Sequence, residues 1–189
     1  MQHGLHEAQP HDTASAPSMR ARLRALFASR LFWSLAMLVM VGLGIRFHYI
    51  SGPIQGQHTF RQTQTAFTAR DFVDEGIDLM HPLVPVLGAP WELPFEMPIF
   101  QAIATWTVWV SGTDVDTACR FVHVLFFCLA TMALIWLATE LFGWRSALVG
   151  AAIFAWLPFT IYWSRATLME FMAVAFALAG SSCPAGVTA

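Results

Sequence analysis

The feature that most constrains this chain is a series of long apolar runs that carry almost no charge. Residues 121–139 and 146–163 are each long enough to cross a bilayer as a helix, for which about 20 residues are needed. Residues 31–50 form an earlier run, interrupted near its end by Arg46, whose long side chain can snorkel to the membrane interface. Charged residues make up 12% of the 189 residues, whereas soluble domains carry about 25%. Because a segment inside a bilayer must satisfy its own backbone hydrogen bonds, these runs predict an all-α membrane protein.

The runs divide the chain into about three complete transmembrane helices and a truncated fourth. The predicted segments are a disordered cytoplasmic arm over 1–30, a first span over 31–50, an outer loop over 51–118, a second span over 119–141, a third over 144–163, an incomplete span over 166–180 and an aberrant tail over 181–189. Two juxtamembrane helices are predicted within the outer loop, over 59–75 and 97–111. The second is too short to span, and it carries Trp106 and Trp109, which suit the level of the lipid headgroups. If it crossed the bilayer instead, every later segment would have the opposite orientation.

The distribution of charge predicts the orientation of the chain in the membrane. Four arginines between Arg20 and Arg30 precede the first run, and cytoplasmic flanks are enriched in basic residues. Most of the acidic residues lie between the first run and the later ones, in the segment expected outside. We therefore predict a multi-pass protein of the cell's inner (plasma) membrane with a cytoplasmic N-terminus. A cleaved signal peptide is the alternative for the first run, but the long preceding arm and the lack of a clear cleavage site favour a retained anchor.

The last apolar run, over 166–180, begins like a membrane span and stops after about 15 residues, short of the usual ~20. Residues 181–189 show neither the charges of a polar loop nor the periodicity of a helix. We therefore expect the chain to be the N-terminal fragment of a longer protein and to have no catalytic activity alone.

Hydrogen-bonding side chains are concentrated just beyond the first run, over residues 57–72. Thr59 is followed three residues later by Gln62, which is the pattern of a capping box and predicts the start of a helix. Phe60 and Phe67 then share one face of this helix. The polar side chains of the segment make it the predicted site of chemistry.

Several short motifs follow one another along residues 31–180. They are Phe-Arg-Gln-Thr-Gln-Thr-Ala leading to Ala-Arg-Asp-Phe over 60–72, a proline-rich stretch with Pro82 and Gly88, Glu-Met-Pro-Ile-Phe over 96–100, Arg120 at the start of a span, Leu-Phe-Gly over 141–143, and Pro158, Tyr162 and Arg165 ahead of Glu170. In this order they resemble the GT-C superfamily of membrane glycosyltransferases, in the branch near protein O-mannosyltransferases and aminoarabinose transferases.

The resemblance implies transfer of a sugar from a polyprenyl-phosphate carrier to an acceptor on the non-cytoplasmic face. Such a reaction needs a carboxylate as general base. Family members carry this acid early in the first outer loop, at or near the position of Gln64, whose amide cannot take a proton. Glu96 and Glu170 are therefore the candidate catalytic residues, Glu170 matching the acid of the family's second outer loop. Asp71 is a third candidate for the base.

The candidate substrate-binding residues are Arg61, Gln62, His58 and Arg165. Guanidinium groups pair with phosphate through two hydrogen bonds, which favours Arg61 and Arg165, although headgroup anchoring is the alternative for both. His58 is included because imidazole titrates near neutral pH. Gln62 is included as well, although completing the capping box would account for it alone. His123 is expected to form a hydrogen bond between helices rather than to bind a ligand.

The predicted partners are the polyprenyl-phosphate sugar donor and membrane lipid. A formal net charge of −2 gives no reason to expect nucleic acid. No metal-ligand set is visible, and a divalent metal stays open as a cofactor. The alternative function is that of a non-catalytic membrane protein, either a piece of a transporter or a degenerate homologue that binds lipid phosphate. A transporter would place polar groups in mid-span, whereas most polar residues here gather in one loop.

Overall fold

The computed structural model describes residues 29–48, 50–51, 58–84 and 97–182, and this part of the chain is all-helical. Its elements are α1 Arg30–Gly44 with a 3-10 turn Ile45–Phe47, α2 Thr59–Glu75, α3 Ile99–Ser111, α4 Val115–Phe142, α5 Trp144–Trp156, α6 Pro158–Trp163 and α7 Glu170–Ser182. The prediction of an all-α fold is confirmed over these residues. Glu96, Gly88, the arm over 1–28 and the tail beyond 182 lie outside the described residues.

The longest helix, α4, is the centre around which the others pack. It begins at an N-cap formed by Asp114, whose carboxylate accepts the Thr117 N–H at 2.9 Å. It ends at Gly143, whose φ of 81° allows the chain to turn directly into α5. Helices α2, α3, α5 and α7 all contact α4. Phe127 lies in this core, stacked on Phe154 at 5.0 Å and edge-on to Phe171 at 4.8 Å between ring centroids.

Small residues bring α1 and α5 close together. Ala147, Ala151 and Ala155 repeat every four residues along α5 and are fully buried. Gly42 of α1 lies opposite, so that a Cβ added there would stand 3.0 Å from the Cβ of Ala155. Close approach through small residues spaced by four is typical of helices that pack inside membranes.

Two helices of the described part are long and apolar enough to cross a bilayer, namely Arg30–Phe47 and α4. The third predicted span, over 144–163, is divided at Leu157, which has extended backbone with ψ of 126°. Pro158 causes this break, because its ring disfavours helical conformation in the residue before it. A third uninterrupted span is therefore not confirmed. The apolar helices α3 and α7, with 13 residues each, are shorter than a span.

Large apolar side chains form an exposed stripe along α4. Its members are Phe121, Leu125, Leu129, Met132 and Trp136. Their spacing of three or four residues places them on one face of the helix. An exposed apolar stripe of this length, on one of the two helices long enough to span, indicates a membrane-associated protein.

Helix α2 exposes two of its aromatic residues, Phe60 and Phe67, and buries most of its small and polar residues together with Phe72. Phe60 is 66% exposed, whereas Thr65, Ala69 and Phe72 are buried. The helix begins at Thr59 as predicted, but its N-cap is His58, with φ of 57° and no capping hydrogen bond from its side chain. The side chain of Gln62 is instead buried against the distant residue Thr167.

Candidate functional site

A cavity of about 380 Å³ lies at the end of the bundle where α2 begins, α6 ends and α7 begins. Its lining residues are His58, Arg61, His123, Phe159, Trp163, Leu168, Glu170, Phe171 and Val174. Most of this surface is apolar or aromatic, with two imidazoles, one guanidinium and one carboxylate. A mostly apolar hollow with a few polar groups is the usual form of a small-molecule site.

Three of the predicted site residues line this cavity. His58 and Arg61 reach it from the start of α2, and Glu170 reaches it as the first residue of α7. Gln62 does not line the cavity but supports the chain segment beside it. Arg165 lies partly buried in the link between α6 and α7 and is not among the lining residues.

The link between α6 and α7 is held by hydrogen bonds from two other helices. The Oε1 atom of Gln62 accepts the N–H of Thr167 at 3.1 Å. The N–H of Leu168 donates to Nδ1 of His123 in α4 at 3.3 Å, and the carbonyl oxygen of Leu168 contacts the same nitrogen. These contacts fix the backbone immediately before Glu170, which lines the cavity.

The two charged side chains of the cavity have opposite signs, and both are exposed. Glu170 lies in the first turn of α7, where the partial positive charge of a helix N-terminus stabilises a carboxylate. Arg61 lies in the first turn of α2, on its exposed side. A ligand with an anionic group and a hydroxyl group would find a matching partner for each.

Asp71 and Gln64 lie apart from the cavity lining. Asp71 is about 15 Å further along the axis of α2 than Arg61. Partial burial, followed by the nearby charges of Glu75 and Asp74, raises the pKa of Asp71 above its usual value. Its carboxylate is thus a stronger base than an exposed aspartate, but it does not face the cavity. Gln64 is partly buried and also absent from the lining.

Two residues of the bundle were missed or misassigned from the sequence. His123 was expected to bond to another helix, but its partner is the main chain of Leu168 in the link before α7, and His123 also lines the cavity. The sequence already pointed to His123, because an ionisable residue inside an apolar run is itself a sign of function. Arg46 does not snorkel outward: its side chain is fully buried, because its guanidinium hydrogen-bonds inside the bundle. There it donates to Thr160 Oγ1 at 3.2 Å and lies 3.9 Å from the centre of the Phe127 ring.

No group of three or more His, Cys, Asp and Glu residues suited to a metal ion occurs among the residues that the structure describes. Comparisons of the chain with protein-family models, with curated proteins and with solved structures find no match.

Proposed function

We propose that the cavity binds the phosphate and the sugar of a polyprenyl-phosphate-linked donor, as part of a membrane glycosyltransferase. The observation that carries the proposal is that Arg61 and Glu170, far apart in the sequence, line one cavity at the end of an apolar bundle. A guanidinium suits a phosphate, and a carboxylate suits the activation of a hydroxyl acceptor. The ordered motifs over residues 31–180, which resemble the GT-C superfamily, support the same assignment.

In the proposed reaction the Glu170 carboxylate takes the proton of an acceptor hydroxyl. The oxygen of that hydroxyl forms a bond to the anomeric carbon of the sugar, while the bond from this carbon to the phosphate oxygen breaks. The polyprenyl phosphate leaves with the electron pair of the broken bond. Arg61 stabilises the charge that develops on it.

We further propose a multi-pass protein of the inner (plasma) membrane, with a cytoplasmic N-terminus and with the cavity on the non-cytoplasmic face. Ring contacts support this arrangement of the two ends. Phe32, near the start of α1, contacts Trp144 at the start of α5, with ring centroids 6.1 Å apart. Phe47, after the end of α1, contacts Phe121 near the start of α4 at 6.4 Å. The start of α1, which follows the arginine-rich flank in the sequence, therefore lies at the end of the bundle opposite the cavity.

Binding of a lipid phosphate tests the proposal directly. The chain is placed in lipid nanodiscs, and its equilibrium affinity for a short-chain polyprenyl phosphate is measured. Arg61→Ala should weaken this affinity about tenfold or more, because a hydrogen bond to a charged group contributes about 1.5–3 kcal/mol. Arg70→Ala is the matched control, since Arg70 lies on the same helix and forms an exposed ion pair with Asp116 at 3.4 Å. Equal affinity in Arg61→Ala and the wild type would refute the assignment of Arg61.

Turnover separates the enzyme from the second candidate function, a protein that binds lipid phosphate without transferring sugar. Gln64, which stands where the acid of similar enzymes is expected, favours this second candidate. In a preparation that transfers sugar, Glu170→Gln should lower turnover by about 10²-fold or more. Glu140→Gln, at the far end of α4 where Glu140 accepts from Trp136 at 2.7 Å, should leave turnover unchanged. Sugar transfer by a preparation that contains the chain would exclude the non-catalytic function, and full turnover in Glu170→Gln would remove Glu170 from the chemistry.

A further inference from the structure

The cavity reaches the outer surface of the bundle in the gap between α6 and α7. Two of its apolar lining residues stand on either side of this gap, Phe159 in α6 and Val174 in α7. Phe159 is 63% exposed and Val174 is 37% exposed. A residue that lines a cavity and is also exposed marks a place where the cavity opens to the outside. The gap is therefore a side opening with apolar edges.

The packing of the helices explains why this gap exists. Helix α6 packs chiefly on α5, whereas α7 packs chiefly on α4. The link that joins them, over residues 164–169, is tied by its backbone to Gln62 of α2 and His123 of α4. The two helices are thus held by different neighbours, and the opening between them belongs to the folded bundle.

The polar and the apolar edges of the cavity lie at different levels of α7. Glu170 is the first residue of this helix and Val174 follows one turn later, about 6 Å further along the axis. Leu168 and Phe171 are buried and form part of the inner wall. A ligand that covers both edges needs a polar headgroup joined to a hydrocarbon part. Covering the exposed apolar edge is favourable because it removes apolar surface from water.

We propose that the hydrocarbon chain of the bound lipid phosphate leaves the cavity through the gap between α6 and α7, in contact with Phe159 and Val174. This inference rests on the proposed function and adds the residues that recognise the chain of the donor, as distinct from its phosphate. The phosphate lies toward Arg61, the first isoprene units lie between the two apolar side chains, and the rest of the chain stays in the lipid around the bundle. The affinity for the donor then depends on Val174 only when the ligand has a chain that passes it.

The test compares two ligands on the same chain in nanodiscs of one lipid composition: dimethylallyl phosphate, and geranylgeranyl phosphate, whose longer chain can pass the gap. Val174→Asn places an amide against the hydrocarbon. It should weaken the affinity for geranylgeranyl phosphate about fivefold or more and leave that for dimethylallyl phosphate within about twofold. Phe159→Ala should change the ratio of the two affinities in the same direction. Using a ratio within each variant cancels any loss of folded protein.

Val149→Asn is the matched control. Val149 is a 46% exposed valine of α5 that does not line the cavity, and its replacement should leave both affinities unchanged. Equal effects of Val174→Asn and Val149→Asn on geranylgeranyl phosphate would overturn the inference and leave the proposed phosphate site standing. This comparison decides the matter even where the shorter ligand binds too weakly to measure.

Two further outcomes separate the chain from the phosphate. If Val174→Asn weakens both ligands equally, Val174 acts on the cavity as a whole, and the inference about the chain is wrong. If neither ligand binds to the wild type, the proposed function fails, and the inference fails with it.

Discussion

Arg46 is a cation that the fold removes from both water and lipid. No carboxylate pairs with it among the residues that the structure describes. Its guanidinium instead donates to two neutral oxygens, the Gly42 carbonyl and Thr160 Oγ1, and lies over the face of Phe127. An aromatic face attracts a cation by its quadrupole, most strongly where water is excluded. Arg46 thus joins the end of α1 to the break between α5 and α6.

Replacing Thr160 by valine tests this junction. The change keeps the shape of the side chain and leaves a buried charged donor without its acceptor, so the free energy of unfolding should fall by about 1.5–3 kcal/mol. Thr131→Val is the matched control: Thr131 is also buried, but its hydroxyl donates only to the carbonyl of Phe127 in its own helix at 2.9 Å. That variant should lose about 1 kcal/mol or less. Equilibrium unfolding in mixed detergent micelles measures both, and equal losses would contradict a special role for Thr160.

At the scale of one helix, the start of α4 depends on the ionisation of Asp114. Partial burial raises the pKa of this carboxyl, but the nearby Thr117 hydroxyl and the Thr117 N–H, which donates to the carboxylate, outweigh it and hold the pKa below its usual 3.8. The folded state therefore favours the carboxylate, and this stabilisation is present above pH 3.8 and is lost as the pH falls below it.

Two substitutions separate the cap from the charge. Asp114→Ala should lower the free energy of unfolding by about 0.5–2 kcal/mol at neutral pH, since alanine cannot cap a helix. Asp114→Asn keeps a capping oxygen that does not titrate. Unfolding measured from neutral pH down to acid should show the wild type converging on Asp114→Ala, with no matching loss in Asp114→Asn. A parallel loss in Asp114→Asn would assign the acid sensitivity to other carboxyls.

The contact of α1 with α5 makes a second prediction at the scale of elements. A methyl group at Gly42 would meet Ala155 Cβ and Trp156 Nε1 at 3.0 Å each, and Trp156 is itself tied to the Leu38 carbonyl at 2.8 Å. Gly42→Ala should therefore destabilise the bundle, because overpacking costs about 1–3 kcal/mol and exceeds the helix-propensity gain of about 1 kcal/mol. Gly44→Ala meets no atom within 4 Å and should be neutral or stabilising. Thermal unfolding of both variants checks the difference in sign.

At the scale of the whole molecule, α4 separates two ends with different roles. The cavity and the start of α4 lie at one end, and the tight turn at Gly143 lies at the other. If α4 crosses the bilayer as proposed, these ends lie in different compartments. A cytoplasmic N-terminus, as proposed, would then put the cavity on the non-cytoplasmic side.

Cysteine labelling measures this arrangement. Ser111 and Ser146 are both exposed, one before α4 and one after it. In a background without the native cysteines, Ser111→Cys should react with an impermeant maleimide on intact cells. Ser146→Cys should react only after the membrane is opened. The reverse pattern would place the N-terminus outside, and reaction of both on intact cells would exclude a crossing by α4.

The sequence by itself determined most of the helices, because apolar runs and local hydrogen bonding are local properties. The predicted helix over 59–75 coincides with α2, and the one over 97–111 corresponds to α3. The second span, predicted over 119–141, extends one turn further at its start, where Asp114 caps it. The break at Leu157 also follows from a local rule about the residue before proline, which outweighs the apolar pattern of the run.

Only the tertiary structure decided which side chains meet. Gln62 suits a capping box by its spacing, yet it bonds to Thr167, 105 residues away. Arg46 turns inward because its guanidinium donates to Thr160 and lies over the Phe127 ring. His123 borders a cavity because the link before α7 folds over α4. Helical periodicity groups residues into faces but does not say which face packs on which helix. That choice depends on how whole helices fit together, through contacts such as Gly42 against Ala155. The same fit decides which residues form the site.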